Sequence, residues 1–182
     1  MTQTTLETNR LLLRLIDPEK DFEAWADCFA DKSTMTYIGG GPGYNRAQAW
    51  RSMATAIGHQ QIRGYSFFSV IEKSSKEWVG RVGPWYPEEW PEPEIGWTIH
   101  RNHWRKGFAK EAAAACIDYA FETLGWDRVI HTIQDGNIAS MKTAEALGSK
   151  RDYSLQGIPA ITDELCWVYA QNRADWGARK KD

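Results

Sequence analysis

The sequence lacks the features of a membrane, secreted or nucleic-acid-binding protein. It has no apolar run long enough to span a bilayer, and its polar start, residues 1–9, has no apolar signal-peptide core. The formal net charge is only −2, and no basic run stands out beyond the terminal Arg179-Lys180-Lys181, which we expect to be solvated. We therefore expect a cytoplasmic protein without a nucleic-acid or membrane partner.

Cysteine is also scarce, and no linker rich in proline, glycine and serine interrupts the chain. Cys28, Cys116 and Cys166 are odd in number, far apart and without metal-ligand spacing, which predicts reduced thiols packed as small apolar groups. A chain of 182 residues without such a linker has the size of one compact domain, so we expect residues 1–182 to form a single domain.

The patterns that are present alternate between strand and helix and predict α/β architecture. Apolar residues at helical spacing predict a helix from Pro18 to about Asp31, and a second helix is expected over residues 46–62. Between them, residues 39–43 are rich in glycine but lack the Gly-Lys-Ser/Thr of a phosphate loop, which favours a lid or connector. Residues 65–72 and 78–83 are predicted to form a hairpin.

Residues 84–94 form a stiff loop rich in proline, glutamate and aromatic residues. Two interpretations remain open at this point. The loop is either a rigid surface connector or one wall of an acceptor site that favours a cationic or amine-bearing substrate.

The run from Trp104 to Ala112 is the most informative feature, because a small basic turn opens directly into an alanine-rich helix. The first turn of a helix has amides without intrahelical partners and carries partial positive charge. Gly107 and Ala109 allow close approach to the backbone, while Arg105, Lys106 and Lys110 add charge, and the junction therefore predicts a diphosphate site. The alternative is a basic loop that simply precedes an ordinary helix.

A second helix opens with Asn137-Ile138-Ala139-Ser140 and ends at Leu147-Gly148. With the strand at 94–99, the basic turn, the helix at 107–124 and the strand at 128–134, this order resembles the GNAT superfamily of N-acetyltransferases, and its RimJ/RimL-like branch in particular. Residues 6–14 and 164–176 resemble that branch's first strand and its closing strand with a short helix. The resemblance implies a three-layer α/β fold with a mixed, strongly twisted sheet of about seven strands, flanked by helices and split around the donor.

The resemblance also implies acetyl-CoA as the acyl donor, no metal, and direct attack by a primary amine. In the family's loop pattern, Arg/Gln-x-x-Gly-x-Gly/Ala, Gly107 and Ala109 match, whereas the first position is Trp104. The residues implied to bind the donor are Trp97, Thr98, Ile99, Trp104, Arg105, Lys106, Gly107, Phe108, Ala109, Lys110, Asn137, Ser140 and Lys142.

Catalytic roles follow from the same resemblance. A backbone amide near Thr98 or Ile99 is expected to polarise the acetyl carbonyl, and Glu94 is expected to take the amine proton, directly or through water. The family's usual tyrosine falls at Ala144, so Ser140 is implied to assist the leaving thiolate. The open alternatives are an exposed or salt-bridged Glu94, a base at Glu92 or His131, and a purely capping Ser140.

The acceptor is not fixed by these patterns. A protein N-terminus and a small-molecule amine both fit, and homodimerisation is common among such proteins. One rival is transfer of a larger acyl group such as succinyl, with Arg81 or Arg101 as its cation. Another rival is a non-catalytic acyl-CoA-binding module.

Overall fold

A computed structural model of the chain describes residues 4–39, 41–158 and 161–179. Gly40 of the glycine-rich loop and the terminal Lys180 and Lys181 lie outside the described residues. The helices are α1 (Pro18–Ala30), α2 (Lys32–Met35), α3 (Arg46–Arg63), α4 (Phe108–Glu122), α5 (Ile138–Ala146) and α6 (Arg173–Arg179). The strands are β1 (Thr5–Glu7), β2 (Leu11–Leu15), β3 (Phe68–Glu72), β4 (Trp78–Trp85), β5 (Glu94–Ile99), β6 (Arg128–Gln134), β7 (Lys150–Ile158) and β8 (Thr162–Asn172).

These strands form one sheet in the order β1-β2-β3-β4-β5-β6-β8-β7. Neighbouring strands pair antiparallel except β5 and β6, which are parallel and in register only at Glu94 and Ile130. The mixed sheet flanked by helices is confirmed. At the centre of the sheet, however, only one residue pair joins β5 and β6, and the gap beyond that pair shapes the functional site.

The sheet has eight strands instead of the expected seven. The additional strand arises because residues 6–14, expected as one strand, divide into β1 and β2. Thr8 makes the break: its N–H donates to the Leu11 carbonyl at 3.0 Å, and its hydroxyl oxygen accepts the Leu11 N–H at 3.0 Å. The chain therefore turns back, and β1 pairs antiparallel with β2.

Helices cover both faces of the sheet. One core cluster contains α4 residues such as Ala112, Ala113 and Cys116 packed with the apolar residues of β2 to β5. The small side chains let α4 approach the sheet closely. A second cluster joins α1 and α3 to the sheet around Trp25 and Met53. All three cysteines are free and buried, as predicted.

Local sequence accounts for where the first long helices begin and end. The Asp17 carboxylate accepts two N–H groups of the first turn of α1, and Pro18 supplies a preset backbone angle there. Asn45 and Gln48 form a reciprocal capping box at the start of α3, and Gly64 ends that helix in the left-handed conformation. No helix in the described ranges is long and apolar enough to cross a membrane.

Candidate active site

The site is centred on the gap where β5 and β6 separate. The Ile130 N–H donates to the Pro93 carbonyl at 3.0 Å, and no further pair of these strands is in register. The His100 N–H donates to the Val79 carbonyl at 3.0 Å, so even-numbered residues of β5 direct their backbone groups toward β4. The amides of Trp97 and Ile99 therefore point into the gap.

This geometry changes which backbone amides are candidates for polarising the acetyl carbonyl. Thr98 pairs with Arg81 of β4, so its backbone is committed to the ladder. Trp97 and Ile99 are the residues whose N–H groups are aimed at the gap. Ile99 and its neighbour Trp97 therefore have the orientation that a polarising amide needs, whereas Thr98 does not.

Two adjoining cavities occupy the gap. The larger has a volume of about 800 Å³ and runs from β5 to the start of α4 and along α5. The smaller, the inner cavity, has a volume of about 90 Å³ and is lined by Glu94 and by residues of β5 and β6. The residues that line both cavities and so form their junction are Tyr37, Ile38, Trp97, Asn137 and Ser140. The segment of Tyr37 and Ile38 precedes the glycine-rich loop, where the sequence predicted a lid or connector.

The basic loop before α4 has the geometry of an anion site. Gly107 is the N-cap residue with a φ of 79°, and no side chain caps the first turn. The amides of that turn therefore remain available to a ligand. Arg105 and Lys110 are exposed and line the larger cavity, whereas Lys106 does not line it. Lys106 instead directs its Nζ to 3.4 Å from His103 Nδ1.

Arg10 holds this loop in place, a role that the sequence did not reveal. Its Nη1–H donates to the Lys106 carbonyl at 2.8 Å, and its Nε–H donates to Glu111 at 2.7 Å. Its guanidinium also lies 4.8 Å from the centre of the Phe108 ring. The pairing joins residues about a hundred positions apart, for which local sequence patterns carry no signal.

The remaining loop residues connect the anion site to β5. The indole Nε1–H of Trp104 donates to the Ile99 carbonyl at 2.7 Å, although the residue is 47% exposed. Phe108 is buried in the core cluster beneath α4 but also borders the larger cavity. Trp104, Phe108 and Ala109 all line that cavity.

Glu94 is a buried carboxyl group at the inner cavity. It is 7% exposed, and its Oε2 accepts the Trp90 Nε1–H and the Thr132 Oγ1–H, each at 2.7 Å. Burial raises the pKa of Glu94 to about 7, although these hydrogen bonds act in the opposite direction. A Cβ on Gly96 would lie 3.4 Å from Glu94 Oε1, so the glycine leaves room beside that oxygen. The alternative of an exposed charge at Glu94 is therefore wrong.

The loop at 84–94 places fewer acidic side chains at the cavities than the sequence suggested. Glu92 accepts hydrogen bonds from Arg128 at 2.8 Å and from Tyr153 at 2.7 Å. Before Glu94, no residue of this loop lines either cavity. The loop acts on the site through Trp90, and Glu92 is engaged elsewhere instead of serving as a base.

His131 borders the inner cavity but has no free lone pair for a proton. It is 1% exposed, its Nδ1–H donates to the Ile95 carbonyl at 2.7 Å, and its Nε2 accepts from the Ser149 hydroxyl at 3.0 Å. Burial lowers the pKa of His131 to about 4. The imidazole is therefore neutral and fully bonded, and the expectation of a base at His131 is wrong.

The start of α5 forms the opposite wall. Asn137 Oδ1 accepts the Ser140 N–H at 3.2 Å, so Asn137 caps the helix. The Ser140 hydroxyl accepts the Trp97 Nε1–H at 3.3 Å and lies at the junction of the cavities, where it is free to donate its own proton. Lys142 is exposed and lines neither cavity, because one residue further along the helix Thr143 takes the inward position.

The cations proposed for a larger acyl group lie away from both cavities. Arg81 is packed against the rings of Phe67, Phe29 and Trp25, with its guanidinium 4.2, 4.8 and 5.0 Å from their centres. Arg101 pairs with Asp31 at 3.3 Å. Neither arginine lines either of these two cavities, so neither provides the cation that a succinyl group would need.

One group of metal-ligand types lies together in the described part of the chain. Ligand atoms of Glu72, Glu77 and His103 are within 4.8 Å of one another. The ammonium group of Lys106, near His103, disfavours a cation there. These three residues line neither of the two cavities together, and we assign them no role in the reaction.

Comparison with known proteins agrees with the geometry. The family model described as an acetyltransferase (GNAT) domain matches residues 10–150. The chain belongs to the GNAT acetyltransferase family. As a GNAT protein it is a transferase, and the matched range contains every residue that lines the two cavities.

This GNAT chain has relatives of similar length. It is 32% identical over 167 residues to the uncharacterized N-acetyltransferase p20 of Bacillus licheniformis, which covers 91% of this chain and 93% of the relative. Among solved structures, an acetyltransferase from Agrobacterium tumefaciens str. C58 is 29% identical with a TM-score of 0.82, over 95% of this chain and 96% of that one. A ribosomal-protein-S5-alanine acetyltransferase from Vibrio fischeri is 18% identical with a TM-score of 0.74, over 95% and 98% of the two chains. The last likeness shows the GNAT fold alone and does not single out the RimJ/RimL-like branch.

Proposed function

We propose that this protein transfers the acetyl group of acetyl-CoA to a primary amine by direct attack of the amine on the thioester. One observation carries the proposal. A buried carboxyl group with its pKa near neutrality, Glu94, faces a small cavity that opens into a large one bordered by an anion-binding helix start. A general base at the end of a donor tunnel is the arrangement that amine acylation needs.

The larger cavity suits the donor by its size and its charge. Its volume of about 800 Å³ lies in the range of cofactor pockets, and the amides after Gly107 supply donors to a diphosphate. Arg105 and Lys110 add positive charge at the same end of the cavity. When bound, acetyl-CoA supplies an activated acyl thioester, and the protein supplies position and proton transfer.

Three groups of the chain would share the reaction. The Trp97 or Ile99 amide would donate to the thioester oxygen as negative charge develops there. Glu94 would take a proton from the bound ammonium, directly or through water, so that the neutral amine attacks the thioester carbon, and the second proton that the nitrogen loses as the amide forms would pass to solvent. As the C–S bond breaks, the Ser140 hydroxyl would donate to the departing sulfur, and the hydroxyl regains a proton from solvent.

The inner cavity also restricts the acceptor. Its volume of about 90 Å³ admits only the amine-bearing end of a molecule, such as an aminomethyl group or a protein N-terminus with a small first side chain. A partly ionised Glu94 attracts the protonated form of such an amine. Both acceptor classes remain within the proposal.

Glu94→Gln tests the proposal. With a panel of primary amines and detection of the free thiol, we expect turnover to fall about 10²-fold or more because the proton acceptor is lost. Acetyl-CoA affinity should stay within about twofold, since Glu94 lies in the inner cavity. Glu89→Gln, a change on the exposed part of the same loop, is the matched control.

Two results would contradict the proposal. Release of no thiol by the wild-type protein with any amine, despite acetyl-CoA binding, would favour the binding-module alternative. Faster turnover of succinyl-CoA than of acetyl-CoA would favour a larger acyl group.

A further inference from the structure

The gap between β5 and β6 begins where hydrogen bonds from side chains take the place of one rung, that is, one backbone hydrogen bond between the parallel strands. If the parallel pairing continued past Glu94 and Ile130, the next bond would run from the Thr132 N–H to the Ile95 carbonyl. Instead the Ile95 carbonyl accepts the His131 Nδ1–H at 2.7 Å. On the other strand, the Thr132 hydroxyl donates to the Glu94 carboxylate at 2.7 Å. Side chains of both strands therefore make hydrogen bonds at the missing rung.

We propose that His131 is a positioning residue for acyl transfer, which holds β5 away from β6 and thereby sets both the Trp97 amide and the Glu94 carboxylate. His131 binds the carbonyl that would otherwise close the strands. Closing them would bring the Trp97 backbone into the ladder and displace Thr132, whose hydroxyl holds the Glu94 carboxylate. The inference rests on the proposed function, because it assigns those two groups their roles in acetyl transfer.

A buried chain of hydrogen bonds fixes the required tautomer. The Ile95 carbonyl only accepts, so the imidazole proton must be on Nδ1. The Ser149 hydroxyl then donates to Nε2 at 3.0 Å and accepts the Gln171 Nε2–H at 2.9 Å. Ser149 precedes β7 and Gln171 lies in β8, so the far half of the sheet holds the ring in one orientation.

His131 also touches the other wall of the reaction site. Its ring centre lies 4.8 Å from that of Trp97, whose Nε1–H donates to the Ser140 hydroxyl at 3.3 Å. The imidazole therefore supports the residue that carries the polarising amide and orients the serine near the sulfur. All of its effects on the reaction pass through Ile95, Trp97 and Thr132.

Two nearly isosteric substitutions separate positioning from packing. Asn at position 131 keeps an N–H donor at the place of Nδ1, whereas Leu has a similar shape without a donor. We expect His131→Leu to lower kcat about 10²-fold, the scale of a small misplacement of reacting groups. His131→Asn should retain kcat within about tenfold of the wild type. CoA affinity should stay within about threefold for both variants.

A spectroscopic readout reports the amide itself. In isotope-edited infrared spectra of acetyl-CoA labelled with ¹³C at the thioester carbonyl, the wild type and His131→Asn should lower the carbonyl stretch relative to solution. His131→Leu should lose part of that shift. If His131→Leu fails to fold, Ser149→Ala tests the same chain, with an expected loss in kcat of about fivefold at unchanged CoA affinity.

The outcomes are distinguishable. A wild-type protein that does not acetylate any amine would overturn the proposed function. An active wild type with equal kcat and carbonyl shift in His131→Leu would overturn only the role of His131. Equal losses in His131→Leu and His131→Asn, together with weaker CoA binding, would also overturn it, because they would show a packing role.

Discussion

Glu94 is a residue at which function opposes stability. Its pKa is about 7 in the folded protein against an ordinary 4.5, so the folded state binds the proton more tightly. The ionised carboxylate is therefore disfavoured in the folded state. The resulting loss of stability is absent below about pH 4.5 and grows as the pH rises through about 7. A shift of this size corresponds to at most about 3 kcal/mol.

We therefore expect Glu94→Gln to unfold at a higher temperature than the wild type at pH 8. At pH 4 the difference should nearly vanish, because the group is then mostly neutral in both the folded and the unfolded chain. Thermal unfolding at the two pH values measures the effect, with Glu89→Gln as the control that should show none. An equal gain at both pH values would point to packing instead of ionisation.

The same carboxyl group should set the pH dependence of activity. At saturating amine we expect kcat to rise with pH around a midpoint of about 7, as Glu94 loses its proton. Thr132→Val removes the Oγ1–H bond that stabilises the carboxylate, so the midpoint should move upward by about one pH unit. Thr143→Val, in the larger cavity, is the matched control. A midpoint that moves downward in Thr132→Val would contradict the assignment of Glu94 as the base.

At the scale of elements, β2 and α4 are joined by Arg10, which shapes the anion site without lining it. Arg10→Met keeps the length of the side chain but removes its bonds to the Lys106 carbonyl and to Glu111. We expect the dissociation constant for CoA to rise about tenfold because the loop loses its fixed geometry, while kcat changes less than about twofold. Calorimetric titration with CoA and steady-state kinetics measure the two effects.

Lys73→Met provides the control for Arg10→Met. Lys73 bonds to the Glu7 carboxylate and the Thr8 carbonyl at the same edge of the sheet, away from the basic loop. Its substitution should leave CoA affinity unchanged. If Arg10→Met also binds CoA as tightly as the wild type, the loop does not need this clamp.

Elements defined by a local pattern were predictable from the sequence. The strands at 94–99 and 128–134 coincide with β5 and β6, and the helix expected at 46–62 is α3 within one residue. Side-chain periodicity and turn residues determine these bounds. The division at Thr8 was missed because residues 6–14 were interpreted as one strand by resemblance, whereas the Thr8 hydroxyl bonds to the backbone three residues later and ends β1. β7 was not predicted.

The site was predictable to the extent that its chemistry lies in short motifs. The loop around Gly107 and the start of α5, which the sequence singled out, both line the larger cavity, and helix starts and helix caps have local signatures. The contacts of Glu94 with Thr132 and of His131 with Ile95 were not found, since they join different strands of the sheet. The direction in which a helical side chain points also depends on packing, and for that reason Lys142 was placed in the donor site wrongly.

At the scale of the whole molecule, donor binding should stabilise the fold. Acetyl-CoA at a hundred times its dissociation constant should add about 2.7 kcal/mol, or roughly 5–11 °C in the unfolding midpoint for a domain of this size. Gly107→Val should reduce this shift, because a β-branched residue is strained at a φ of 79°. Thermal unfolding with and without acetyl-CoA measures both. No shift at millimolar donor would contradict acetyl-CoA as the ligand.

Beyond Glu94 and Ile130, the gap between β5 and β6 leaves two strand edges in the interior of the sheet that do not pair with each other, in addition to its outer edges. Exposed edges are where sheets recruit foreign strands and aggregate. Here the edges face a cavity that the donor is proposed to fill, so acetyl-CoA would act as a protective cover as well as a reactant. If acetyl-CoA is the donor, the protein should therefore self-associate at this gap more readily when acetyl-CoA is scarce, and its abundance should follow the supply of that donor.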